Sequence, residues 1–104
     1  MHYIFQIRIS DPNYTPEQYA AAWMRASRYI QQAPGAQGTR LHRKIGEPDT
    51  LLAIATWESK AARDAMEREP AEQIAAIIAT QTPHVDITLI GEFEAPEWEV
   101  LPGA

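Results

Sequence analysis

The sequence predicts an α+β, ferredoxin-like sandwich with element order β-α-β-β-α-β. Three observations carry this reading. The apolar run Leu51–Trp57 passes at Ser59 straight into charged, Ala-rich sequence with helical spacing. The alternating segment at residues 3–9 passes in the same way into a helix opening at Thr15. Between them, two strand-like segments flank a turn at Gly46-Glu47-Pro48-Asp49, the pattern of an antiparallel hairpin. Right-handed crossovers and a hairpin in a chain of 104 residues leave this topology, with both helices on one sheet face.

In the first strand Tyr3, Phe5, Ile7 and Ile9 point one way, and Ile4, Gln6 and Arg8 the other. Asp11-Pro12-Asn13 ends it. Thr15 caps the first helix, with Pro16 at its first position and Gln18 closing a capping box. Tyr19, Ala22, Trp23, Ala26 and Ile30 form its inward stripe, and Pro34-Gly35 ends it. The second strand spans residues 38–45 and the third 50–57. Ser59 caps a second helix that runs to Glu69, with Ala62, Ala65 and Met66 inward, and Pro70 interrupts it. A further helical segment carries Ile74, Ile77 and Ile78. The last strand starts near His84, alternates through Val85, Ile87 and Leu89, and continues as an acidic extended arm over residues 92–104.

Length and composition describe one domain, residues 1–104, able to build a core: 45% of residues are hydrophobic. A formal charge of -5 argues against a phosphate-tracking surface, hence against nucleic acid as a partner. There is no cysteine, which removes disulfides, zinc–thiolate sites and thiol nucleophiles. No run reaches the roughly 20 apolar residues of a membrane span, and no basic-then-apolar leader is visible. A cytoplasmic protein without membrane contact is the expectation.

The covered sheet face takes Tyr3, Phe5, Ile7, Leu51, Ala53, Ala55, Trp57, Val85, Ile87 and Leu89. The other face then carries Ile4, Leu52, Ile54 and Ile90 among polar residues, a large patch for a monomer to expose. Burying these four is worth about 6–12 kcal/mol, against an association cost on the order of 4–15 kcal/mol. The expectation is a homodimer, sheet against sheet, with the C-terminal arm (Phe93, Trp98, Val100, Leu101) adding to the partner's sheet edge. An off-by-one face assignment would leave that face wet.

These features together resemble the antibiotic biosynthesis monooxygenase family: the element order, Pro34-Gly35 after a Trp-bearing helix, Leu41 with Arg43 on the next strand, and Trp57-Glu58-Ser59-Lys60 opening the second helix. The likeness covers residues 1–94. It implies a dimeric α+β barrel with a pocket between helices and sheet in each subunit. Members include oxygenases that oxidise polycyclic aromatics with neither metal nor flavin, haem-degrading enzymes and isomerases, so the fold transfers more safely than the chemistry. The haem-degrading members use an Asn, a Trp and a His at places held here by Ile7, Ala65 and Ala76, and no histidine lies between His42 and His84. Haem degradation by that scheme is not expected.

Several side chains are candidates for chemistry. His84 and Asp86, two apart on the last strand, share a face, and a carboxylate that orients an imidazole makes a general base; the plainer reading is a solvated strand end. Tyr19 and Trp23, one turn apart, either wall a flat aromatic ligand or simply fill the core. Arg43, beside Leu41 and Ile45, either binds a substrate oxyanion or snorkels to the edge. Trp57 closes the pocket or anchors the strand–helix corner. The three histidines, His2, His42 and His84, lack the spacing of a metal site. No cofactor or metal is called for. The leading expectation is a cofactor-independent monooxygenase acting on a small aromatic or polyketide-like substrate. The alternatives are a non-catalytic dimer that binds a small ligand or partner protein, and an isomerase or lyase acting on a small metabolite.

Overall fold

Four strands and three α-helices form two layers in the computed structural model, which describes residues 1–103; Ala104, the end of the expected arm, lies outside them. Strands β1 (His2–Ile9), β2 (Ala36–Lys44), β3 (Glu47–Trp57) and β4 (Val85–Phe93) make one sheet in the order β2-β3-β1-β4. Every neighbouring pair is antiparallel. Helices α1 (Pro16–Ile30), α2 (Lys60–Arg68) and α3 (Glu72–Gln81) lie on one side. Each helical crossover skips a strand, which is the ferredoxin-like arrangement.

The caps form as the residues dictate. Thr15 Oγ1 accepts from the Gln18 N–H at 3.1 Å, and Gln18 Oε1 accepts from the Thr15 N–H at 2.8 Å. Ser59 Oγ accepts from the Ala62 N–H at 3.1 Å. The β3–α2 corner is pinned by the start of the chain, where Met1 O accepts the Trp57 N–H at 2.8 Å. Trp57 itself is 2% exposed.

Three expectations need correction. The hairpin turn is Ile45-Gly46, not residues 46–49, because Lys44 already pairs with Glu47; the register then jumps to Arg43–Leu51, past Pro48, which has no N–H to give to a ladder. Ala65 faces solvent, and α2 turns Ala62, Arg63 and Met66 inward. The arm beyond Phe93 is not a strand: Pro96 interrupts it, and Trp98 and Val100 are almost fully exposed.

The core gathers Ile7, Leu51, Ala53 and Val85 beneath Tyr19. Ile87 and Leu89 lie on the covered face as expected, opposite Ile7 and Phe5, and Ile87 lines the space under the helices. Both are nevertheless half exposed, because β4 is the sheet edge and the helices pack chiefly over β2 and β3. A bulge sits in β4, where Ile4 pairs with Gly91 but Phe5 pairs with Leu89. Beyond it the alternation inverts. Glu92 comes opposite Tyr3 on the helical side and meets Lys60 Nζ of α2 at 3.0 Å. Phe93, opposite His2, turns to the open face.

Gly35 lies where α1, β2 and α2 converge. Its φ is +87°, its carbonyl accepts the Glu58 N–H at 2.8 Å, and an added Cβ would fall 2.6 Å from the Ala62 Cβ. Gly46 has the same φ in open space. Gly46→Ala is expected to cost about 1–2 kcal/mol from the left-handed backbone alone. Gly35→Ala adds a clash, for a total of about 2–4 kcal/mol. Paired chemical denaturation curves check the difference, and equal losses would contradict it.

Candidate functional site

The space between the helices and the sheet is not filled. A cavity of about 610 Å³ opens there. Its floor is Tyr3, Phe5, Ala55 and Trp57; α1 contributes Tyr19, Ala22, Trp23 and Ala26; α2 and α3 contribute Arg63, Met66, Glu67, Ile74 and Ile78. The room follows from the residues: alanines stand where the two layers would otherwise interdigitate, and aromatic rings stand around them. The walls are overwhelmingly apolar and ring-bearing, which suits a flat hydrocarbon body.

The polar groups are few and differ in kind. Tyr19 is 5% exposed and stands in the cavity wall. Burial, with a smaller push from nearby Tyr14, raises its phenol to about 12, so it is a neutral O–H donor at ordinary pH. Gln81 Oε1 is buried beside the cavity with no partner, an acceptor left for a donor that the protein does not supply. Arg63 is the one cation lining the cavity among the described residues. Its guanidinium carbon stands 3.9 Å from the centre of the Tyr3 ring, a cation–π contact, and Nη1 pairs with Glu67.

The expected site residues divide. Tyr19, Trp23 and Trp57 come together in the cavity wall. Arg43 does not line it; it bonds Glu17 of α1 at 2.7 Å at the surface. That pair holds the Glu17 carboxyl below its ordinary range, behind the larger effect of a backbone hydrogen bond. His84 and Asp86 do not line it either. They belong to different elements, because β4 begins at Val85 and His84 lies in a 3-10 turn, Thr82–His84. The carboxylate at His84 is Asp11, whose Oδ2 lies 2.7 Å from Nδ1, and the imidazole stacks on Tyr14 at 4.3 Å. The Asn13 N–H, and then His84, hold the Asp11 carboxyl below its usual value.

Arg63, Glu67 and Gln81 were missed in the sequence. Arg63 and Glu67 are four apart, one turn of helix, beside Met66 on the inward side, and that spacing was the available signal. No group of three or more His, Cys, Asp or Glu side chains clusters as metal ligands among the described residues. None of their helices is long and apolar enough to cross a membrane.

Residues 3–76 match the family described as antibiotic biosynthesis monooxygenase. Comparison with curated protein sequences finds no match. Among solved structures, the chain is similar to SnoaB, a cofactor-independent oxygenase from Streptomyces nogalater, with a TM-score of 0.79, 16% identity, and coverage of 98% of this chain and 96% of that one. It is also similar to a Deinococcus radiodurans protein provisionally described as an antibiotic biosynthesis monooxygenase, with a TM-score of 0.68, 14% identity, and coverage of 99% and 100%. A Nitrosomonas europaea protein given the same provisional description has a TM-score of 0.65, 10% identity, and coverage of 90% and 100%. At such identities the likeness carries the fold.

A phenol held neutral by burial contributes stability below its unfolded value near 10 and loses it as pH rises through the folded value of about 12. The wild type is therefore expected to lose stability relative to Tyr19→Phe over that window. Phenolate absorbance of the two proteins, read as a difference, should show one ionisation near 12. A difference titration centred near 10 would refute the buried, neutral donor.

Proposed function

The chain belongs to the antibiotic biosynthesis monooxygenase family, and from that premise we propose a cofactor-independent monooxygenase that oxidises a small aromatic or polyketide-like substrate. The observation that carries this reading is the ring-lined cavity of about 610 Å³, with Trp23 and Trp57 in its wall and only a few polar groups. A flat substrate lies between the aromatic walls. An acidic methylene in it loses a proton, and the resulting carbanion gives its electrons to O2. One oxygen atom ends as a new carbonyl and the other leaves as water, so the substrate supplies all the electrons and no external reductant is needed. Tyr19 donates its O–H to the oxygen on which negative charge develops, in a site that water largely leaves.

A second reading, a non-catalytic dimer that binds a small ligand, is favoured by one observation: no imidazole lines the cavity among the described residues. A substrate of this enzyme must therefore bring much of its own acidity. Oxygen uptake separates the two. Incubation in air with a panel of hydroxyanthrone- and quinol-like compounds should consume O2 above background, and Tyr19→Phe should lower the rate by about 10²-fold. Binding across the panel without uptake would leave the ligand-binding reading standing alone. Replacing His84 and Asp86 with Ala tests the base expected from the sequence: rate lost with affinity kept would support that role.

The working unit we propose is a homodimer joined through the open sheet face, where Ile4, Leu52 and Ile54 are partly buried and Phe93 is half exposed. Light scattering should report twice the mass of the chain. Ile54→Arg, which places a charge at the centre of that face, should give a folded monomer; a wild type that is monomeric at micromolar concentration would overturn the assembly.

A further inference from the structure

We infer that Arg63 is the specificity residue of the cavity, selecting aromatic ligands that carry an anionic oxygen, and that Glu67 is an exchangeable partner which yields the guanidinium to the ligand. This deepens the reading of the cavity as an aromatic binding site and rests on it.

The argument begins with placement. Ser59 fixes the start of α2, and Lys60 ties that helix to β4 through Glu92 at 3.0 Å and to its own next turn through Asp64 at 3.1 Å. Arg63 follows and is carried over the sheet, where it stacks on Tyr3 with its side chain 12% exposed. A guanidinium so far from water feels charge more strongly than a surface cation does. Its carboxylate neighbours do not match that burial. Asp64 is already committed to Lys60, whose hydrogen bond is the main reason its carboxyl is held low, and it stands 3.6 Å from Arg63. Glu67 is the principal partner, and its side chain is 61% exposed. Water screens its pull and makes the pair inexpensive to break.

The guanidinium also has capacity left. It carries five N–H donors, and Nη1 alone is engaged by protein among the described residues. An oxyanion delivered from the apolar side can take the remaining donors in the planar fork that suits a carboxylate, enolate or phenolate. Glu67 then swings into water. The neutral donor Tyr19 packs with Ile7 and Leu51, while Arg63 packs on Tyr3, four residues away along β1. A ligand thus meets a cation near one end of the cavity and a neutral hydroxyl near the other, which fixes its direction.

The test is calorimetric titration with two probes of one shape, 2-naphthoate and its neutral isostere 2-acetylnaphthalene, against wild type, Arg63→Gln, Arg63→Lys and Glu67→Gln. Wild type should prefer the anion by on the order of tenfold. Arg63→Gln should abolish the preference while still binding the neutral probe, and Arg63→Lys should recover part of it. Glu67→Gln should tighten the anion several-fold and leave the neutral probe unchanged, because a competitor for the guanidinium has gone. A purely structural ion pair gives the opposite result, with both single variants weakening both probes. That outcome, or equal affinity of wild type for the two probes, overturns the assignment of Arg63 but spares the aromatic cavity. If neither probe binds wild type, the cavity reading falls and this inference falls with it. Circular dichroism confirms folding of each variant, and Glu67→Gln keeps the test decisive should Arg63→Gln fail to fold.

Discussion

The structure depends on how unevenly the layer between helices and sheet is filled. Around Trp57 and Ile7 it is packed to near-complete exclusion of water. A few residues away, Ala22, Ala26 and Ala55 give their positions no bulk, and the helices are held off the sheet by the rings around them. A core of this size tolerates a cavity only if other contacts fix its walls. Those contacts are the capped starts of α1 and α2, the Met1–Trp57 ladder, and the close approach at Gly35, where α2 rests almost on backbone. The void is thus framed by backbone that these contacts hold in place, the condition a binding site requires.

Charge plays an orienting part. Most ion pairs here are exposed and individually worth little. Their arrangement matters more than their sum. Glu17–Arg43 joins the start of α1 to β2, and Lys60 joins the start of α2 to β4 through Glu92. Each clamps one helix to the sheet beside the cavity. Arg63 differs because it is pulled under cover, so its charge is available to whatever enters. The β4 bulge serves the same end: by inverting the strand's alternation it brings Glu92 to the helical side and sends Phe93 to the other face.

Much of this was legible from local chemistry. Thr15 with Gln18, and Ser59, announced helix starts because capping is satisfied within a few residues. The α1 stripe of Tyr19, Ala22 and Ala26 announced its buried side because helical periodicity is a local property. The same logic failed where long-range pairing intervenes. Strict alternation made Ile87 and Leu89 core residues, and Ile87 does line the cavity, but both stay half exposed because β4 is the sheet edge and the helices pack chiefly over β2 and β3. Reading His84 with Asp86 assumed one strand through both; the strand begins at Val85, and the carboxylate in contact with His84 is Asp11, 73 residues away in sequence. Arg43 pointed to the expected side, but Glu17 took its guanidinium before the cavity could.

By itself, then, the sequence determined the order of elements, the capped helix starts and the aromatic stripe that α1 turns inward, all set by residues within a few turns of each other. Only the tertiary structure decided that this interior is hollow, that Arg63 and Gln81 reach it while His84 does not, and that β4 reverses its faces at Gly91. The physical reason is distance along the chain. Propensity and periodicity act over a few residues, whereas a cavity is the space that three helices and a sheet fail to fill, and no single segment of sequence contains it.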